Sequence, residues 1–425
     1  MTALLFTALL LVLILFRVPV SFAVLVTGIL GLLYLGTSQQ AIGVVETTAP
    51  SSVMSYTLSA APLFIFMAQL ILMSGLVDAL FSAARTMVGR VRGGTAVASV
   101  AAGTAFAAVS GSSTASAATL ASTSSDQLIR DGYAPRTATG LIAVVGTLAA
   151  MIPPSVILVF YAITAEVSVG DTIVAAVTPG LLVALALVVA LYVVMTLRPD
   201  AVPRGEASTL AAKMKAILPA LPILVLFGAV VGAIYTGIAT PTEAAAVGCL
   251  AAFVLAAARR KVTRAALTKA VVDTVKTSAM IFAIIVGAEV FGHFLTETGV
   301  AASLVTAIGG LAVPAAAIML MIGIVYIVLG FFMDQIAIIA LTVPVVLPIV
   351  TELGYDPIWF GIFVVLLAEV GMVSPPMGLN VFVVSRVTGR VPGEVFRGAL
   401  PFAGAILVIG IALVFIPEIV LWVLE

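Results

Sequence analysis

Residues 146–163 read GTLAAMIPPSVILVFYAI, and residues 368–385 read AEVGMVSPPMGLNVFVVS. Each is an apolar run able to reach across much of a hydrocarbon core of about 30 Å, and each is interrupted by Pro-Pro. Two successive prolines remove two amide donors and disfavour helix in the residue before them. Ile152 and Ser374 therefore mark points where a spanning helix unwinds. Pro153 and Pro375 stand 222 residues apart, and the same lag relates Pro19 to Pro241, Pro135 to Pro357, Pro154 to Pro376 and Pro179 to Pro401. Random placement of the prolines gives roughly half a pair at any one lag, so five pairs indicate a duplicated unit. Gly132-Tyr133 and Gly354-Tyr355 match at the same offset.

The rest of the chain fits this reading. Of 425 residues 63% are apolar and 9% charged, against roughly a quarter charged in a soluble domain. This is the composition of an all-α polytopic membrane protein. One cysteine, Cys249, excludes an intramolecular disulfide, and one histidine, His293, argues against a catalytic zinc site. The opening MTALLFTALLLVLILF lacks a basic n-region and reads as a retained span.

Spans are expected near 2–16, 18–36, 61–78, 137–164, 172–197, 216–236, 240–257, 277–297, 359–385 and 398–424. Two further apolar stretches, 95–128 and 316–350, differ. Arg85, Arg90 and Arg92 precede the first, and Arg130 and Arg136 follow it, so both of its ends face the basic, cytoplasmic side. The second is flanked only by Glu297, Glu352 and Asp356. Both read as re-entrant hairpins, from opposite sides. Ten crossings and two hairpins then place all 19 Lys and Arg on one side, with both termini on the other. Five crossings per unit is odd, so the units, 1–205 and 206–425, enter the membrane inverted. That is an inverted-repeat transporter plan in which one module moves against another.

The first hairpin carries Ser110-Gly111-Ser112-Ser113 at its middle, and the second carries Gly330-Phe331-Phe332-Met333-Asp334-Gln335. Small hydroxyl-rich turns at membrane depth free carbonyls for a hard cation, while helix N-termini aim amides at an anion. Close helix packing is the competing explanation. Asp334 is costly at this depth unless a cation, or amides capped by its carboxylate, offset it. Each hairpin and its broken helix outline one sodium cage. The first comprises Ser110 to Ser113 with Gly146, Thr147 and Pro153; the second, Gly330 and Asp334 with Ser374, Met377 and Gly378. A substrate anion between the tips would be held by Ser113, Ser155 and Asn380. Two cages imply at least two coupling ions and no other cofactor.

Other polar residues carry less. Glu243 follows Pro241 at a helix start and reads as structural. Glu289 and Glu369 lie deeper, as proton sites or partners of amides. His293 and Cys249 read as interfacial or packing residues. The connections 37–60 and 259–276 occupy equivalent places, and the second is basic and amphipathic, as for a helix lying along the interface.

In order, FRVPVSFAVLVTGILGLL, APLFIFMAQLILMSGL, SGSSTASAATL, GTLAAMIPPS, TPTEAAAVG, GFFMD and SPPMGLN resemble the DctM-type large membrane subunit of tripartite ATP-independent periplasmic (TRAP) transporters. The resemblance implies an elevator fold of the ion transporter superfamily type in a bacterial inner membrane, driven by sodium. It implies two partners, a periplasmic DctP-like substrate-binding protein and a small DctQ-like membrane subunit, here expected as a separate polypeptide. Implied cargoes are C4-dicarboxylates, sialic acid and related carboxylates. No nucleic-acid partner is expected. Ala368-Glu369-Val370 departs from the family pattern, in which an Asn and small apolar residues are common. The alternatives are a binding-protein-independent sodium-dicarboxylate carrier, whose Ser-Asn-Thr tips this chain lacks, a channel, and an intramembrane hydrolase, for which no paired nucleophile and base stand out.

Overall fold

The computed structural model describes residues 2–16, 18–36, 42–47, 56–88, 93–197, 217–300 and 313–424, with a few single positions between them. Among these residues every regular element is helical. The first half contains α1 (Thr2–Leu15), α2 (Val20–Tyr34), α3 (Ala60–Ser74), α4 (Leu76–Val88), α5 (Gly94–Ser110), α6 (Ser113–Leu120), α7 (Asp126–Arg130), α8 (Pro135–Val145), α9 (Leu148–Met151), α10 (Val156–Thr164), α11 (Val169–Ala175) and α12 (Val177–Leu197). The second contains α13 (Leu221–Tyr235), α14 (Pro241–Ala258), α15 (Arg264–Thr298), α16 (Ala315–Phe332), α17 (Gln335–Glu352), α18 (Pro357–Met372), α19 (Leu379–Thr388), α20 (Pro392–Phe415) and α21 (Glu418–Leu421).

Shifted by 222, the bounds of α2, α5, the α6–α7 arm, the α8–α9 segment and α10 fall within two residues of those of α14, α16, α17, α18 and α19. Local chemistry explains the shared starts. Pro135, Pro241, Pro357 and Pro392 each open a helix at N1, where the missing amide costs nothing. The second arms begin behind side-chain caps, Ser112 accepting from the Ala115 amide and Asp334 from the Ala337 amide. Glu243 proves structural: it and Thr240 form a reciprocal capping box, with the Thr240 amide donating to Glu243 at 2.9 Å.

Three expectations need correction. The interfacial arm 259–276 is not a separate element: from Arg264 it continues into the next span as one 35-residue helix, α15, because no proline interrupts it. The span 61–78 ends at Ser74, where Gly75 adopts φ 68° and turns the chain into α4. The expected 216–236 starts at Leu221, behind a turn. Among the described residues, six helices are by length and composition able to cross a membrane, eight if each bent pair is one span, where ten crossings were expected. The shortfall lies in α1, α2, α13 and α18, of 14 to 16 residues each. Both arms of the second hairpin are among the six, so length alone does not separate arm from span. Most of the connection 37–60, Arg17, Arg90, Arg92, the stretch 198–214 and the expected boundary at 205–206 lie outside the described residues.

Packing gathers the helices into two groups. α2 lies along α15 and α14 along α3, while α3 also packs on α15. A Cβ at Gly28 would sit 2.8 Å from the Phe291 amide, and one at Gly287 2.9 Å from the Ser21 carbonyl. Small residues let these backbones meet where no hydrophobic drive between helices exists. The hairpins and broken helices form the other assembly. There, α16 packs on α18, α8 on α20 and α12 on α20. Each broken helix also crosses to the other half: α19 packs on α6, and α10 on α17. Tyr161 of α10 donates to the Pro357 carbonyl, and its ring fills the space a Cβ at Gly361 would need.

Candidate functional site

The two hairpin turns are short. Gly111 takes φ 58° between α5 and α6, and Met333-Asp334 separates α16 from α17. The first turn docks on the first Pro-Pro break, where a Cβ at Gly111 would lie 3.1 Å from Val156 and 3.5 Å from the Pro154 carbonyl. Gly330 fits against Ala368 and Gly371 of α18, the helix that leads to the second break. Both Pro-Pro bonds are cis.

Where the tips converge stands one carboxylate. Glu369 of α18 is 1% exposed. Its Oε2 accepts from the Ser113 hydroxyl at 3.0 Å and its Oε1 from the Gln335 amide at 2.6 Å. Asn380, just past the second break, donates Nδ2 to Ser113 Oγ at 2.7 Å and, at 3.5 Å, to Glu369 Oε2. Asn380 Oδ1 is buried with no partner among the described residues. A carboxyl group at membrane depth costs several kcal/mol unless hydrogen bonds or a cation offset it. Here three neutral donors do so, and the one ion pair among the described residues, Arg390–Glu394, lies elsewhere. The orphan acceptor beside them suits a cation or a donor group on a ligand.

Of the residues expected at the site, Ser113 and Asn380 are thus brought together. Ser110 donates to the Ser112 carbonyl, Thr147 to the Val144 carbonyl, and Ser155 accepts from the Leu158 amide. Their hydroxyls are engaged with local backbone. Pro153 is buried, and Gly146 lies against Ala117 of α6. The two breaks differ: Ile152 to Ser155 are buried, whereas Ser374 is half-buried and Met377 is 53% exposed. Gly378 faces back onto the Met372 and Ser374 carbonyls. Asp334 is exposed and caps α17, as the competing explanation for it required.

Gln335 and Glu369 are the members the sequence reading did not assemble. The repeat lag held the signal, since Ser113 shifted by 222 is Gln335 and Thr147 shifted by 222 is Glu369. Glu289 and His293 line a separate polar cleft of about 350 Å³ with Glu166 and Pro344, between α15 and the end of α10.

The family model "Tripartite ATP-independent periplasmic transporter, DctM component" matches residues 7–419. The C4-dicarboxylate TRAP transporter large permease protein DctM of Pseudomonas aeruginosa is 36% identical over 366 residues, covering 86% of this chain and 85% of that protein. The isethionate TRAP transporter permease protein DctMQ of Oleidesulfovibrio alaskensis is 32% identical over 381 residues, 89% of this chain but 60% of that longer protein. Among solved structures, the YdaH transporter of Alcanivorax borkumensis, reported to have an unusual topology, matches with a TM-score of 0.64 over 88% of each chain. At 13% identity that is a likeness of fold alone. Apolar helices, paired hairpins and broken helices, and a match along nearly the whole length lead to one assignment: this multi-pass membrane protein is a transport permease, not an enzyme, and belongs to the DctM family of TRAP transporters.

Proposed function

We propose that the chain is the translocating subunit for a small organic acid, taken up with sodium across a bacterial inner membrane. A periplasmic binding protein delivers the cargo, and a small membrane subunit completes the assembly. Units 1–205 and 206–425 are inverted repeats, and the hairpins and broken helices slide as one body past the scaffold of α2, α3, α14 and α15. The observation that carries this reading is the joining of Ser113 and Gln335, one from each hairpin, on Glu369. It joins both tips, with Asn380 beside the second break, at one buried polar centre.

In this reading the first sodium lies among the carbonyls and hydroxyls of Ser110 to Ser113, Gly146, Thr147 and Pro153. The second lies by Gly330, Asp334, Ser374, Met377 and Gly378. The cargo's carboxylate meets Ser113, Ser155 and Asn380, because no basic side chain accompanies them among the described residues. The C4-dicarboxylate and isethionate of the named relatives are both small anions, which supports that cargo class.

The test is uptake into proteoliposomes containing the chain with its membrane and periplasmic partners. Saturable uptake of a labelled organic acid that requires an inward sodium gradient is expected. Uptake at full rate without sodium removes the coupling, and a linear flux indicates a channel.

A further inference from the structure

A groove of about 620 Å³ runs between α12 and α20, away from the site described above. Its floor is cut by small residues, Ala186, Ala190, Gly404 and Ala405, between the larger Leu185, Val189 and Val408. The two helices are antiparallel, since Trp422 beyond α20 donates to Thr178 at the start of α12. The wall from Leu182 to Leu197 is therefore about 22 Å long at 1.5 Å per residue, deeper than the roughly 15 Å of one leaflet's hydrocarbon. At the Leu197 end two arginines stand together. Arg136 opens α8 and Arg397 lies near the start of α20, held level by Gly398, whose Cα backs onto the Arg136 carbonyl. Neither guanidinium joins a salt bridge among the described residues.

The positive-inside bias accounts for arginines on this side, but not for two of them lining the mouth of one notch. A concave apolar track ending in two arginines complements a ligand with an extended hydrocarbon tail and an anionic head. Guanidinium binds phosphate through parallel hydrogen bonds, and basic pockets between membrane helices favour anionic headgroups. We infer that this groove is a binding site for one anionic phospholipid, its tail along Ala186, Ala190 and Gly404 and its phosphate on Arg136 and Arg397. The charge match favours a lipid over an apolar helix of a partner subunit, which would bring no anionic group to either guanidinium.

Gly404 provides a clean probe, because a Cβ there meets no atom within 4 Å. A bulky residue there starts from open space and enters the groove. The delipidated full chain in detergent is titrated with phosphatidylglycerol or phosphatidylcholine, and binding is read by native mass spectrometry and by the thermal midpoint. One saturable phosphatidylglycerol is expected, with phosphatidylcholine at least about tenfold weaker. Arg136→Gln with Arg397→Gln should weaken phosphatidylglycerol roughly thirtyfold, and Gly404→Phe should abolish its retention while leaving the lipid-free midpoint in place. Equal binding of the two lipids by the unmodified chain overturns the proposal, whatever the variants do. So does unchanged phosphatidylglycerol binding in either variant, or its displacement by the small membrane subunit.

Discussion

Ser113 and Gln335, which stand 222 residues apart and occupy the same position in the two hairpins, hydrogen-bond to opposite oxygens of one carboxylate, that of Glu369. The two tips are therefore coupled through one side chain. They share one acceptor, and that acceptor belongs to the second unit alone, since its counterpart in the first is Thr147, bonded to its own helix.

Removing one donor leaves Glu369 under-satisfied in a buried place. Ser113→Ala and Gln335→Ala should each destabilise the folded protein by about 1–3 kcal/mol. Because both act through one carboxylate, the double variant should depart from the sum of the singles by at least about 0.5 kcal/mol. Unfolding of all four proteins in detergent measures this, and strict additivity would separate the two tips.

Asp334 tests cap against cation. Asp334→Asn keeps an oxygen able to accept from the Ala337 amide, so stability should change by no more than a few tenths of a kcal/mol, whereas Asp334→Ala should cost about 1 kcal/mol. The proposed second sodium site predicts that both variants raise the sodium concentration needed for half-maximal uptake. Unchanged sodium activation in both would leave Asp334 a cap only.

Exposure at the breaks is unequal. In a cysteine-free background made by Cys249→Ser, Met377→Cys should react readily with a membrane-impermeant maleimide in detergent-solubilised protein, and Ser155→Cys should stay protected. The reading rests on Met377 being 53% exposed and Ser155 fully buried. Equal labelling would mean that the two breaks are open alike.

Close helix approach should be intolerant of one methyl group. A Cβ at Gly361 runs into the Tyr161 ring, and one at Gly398 into the Arg136 carbonyl. Overpacking of this kind costs about 1–3 kcal/mol where a side chain can shift, so Gly361→Ala should lower the unfolding midpoint. Gly398→Ala meets backbone and should reduce the yield of folded protein further. Gly404→Ala, in open space, is the control expected to match the parent.

The proline lag made the architecture legible, because Pro-Pro and N1 prolines act on the backbone whatever surrounds them. The hairpins at 95–128 and 316–350 differ from the observed arms, Gly94–Arg130 and Ala315–Glu352, by two residues at most. What the sequence hid was tertiary. Asp334 drew attention as a lone acid, yet its carboxylate serves the helix behind it, while Glu369, 1% exposed, reaches partners 256 and 34 residues away. Hydropathy does not report such pairings. The amphipathic arm at 259–276 failed for a related reason: polarity marked where the chain leaves the apolar layer, but helix continuity depends on backbone breakers, and none is present.

Glu369 is the junction of both tips, and sodium-driven uptake by Glu369→Gln tests its part in transport most directly. Glutamine keeps the volume but turns one acceptor oxygen into a donor, facing either the Ser113 hydroxyl or the Gln335 amide. Initial rates in proteoliposomes, normalised to folded protein, should fall by about tenfold or more, with sodium stimulation largely lost. A Glu369→Gln protein that takes up substrate at the parental rate with parental sodium activation would contradict the account.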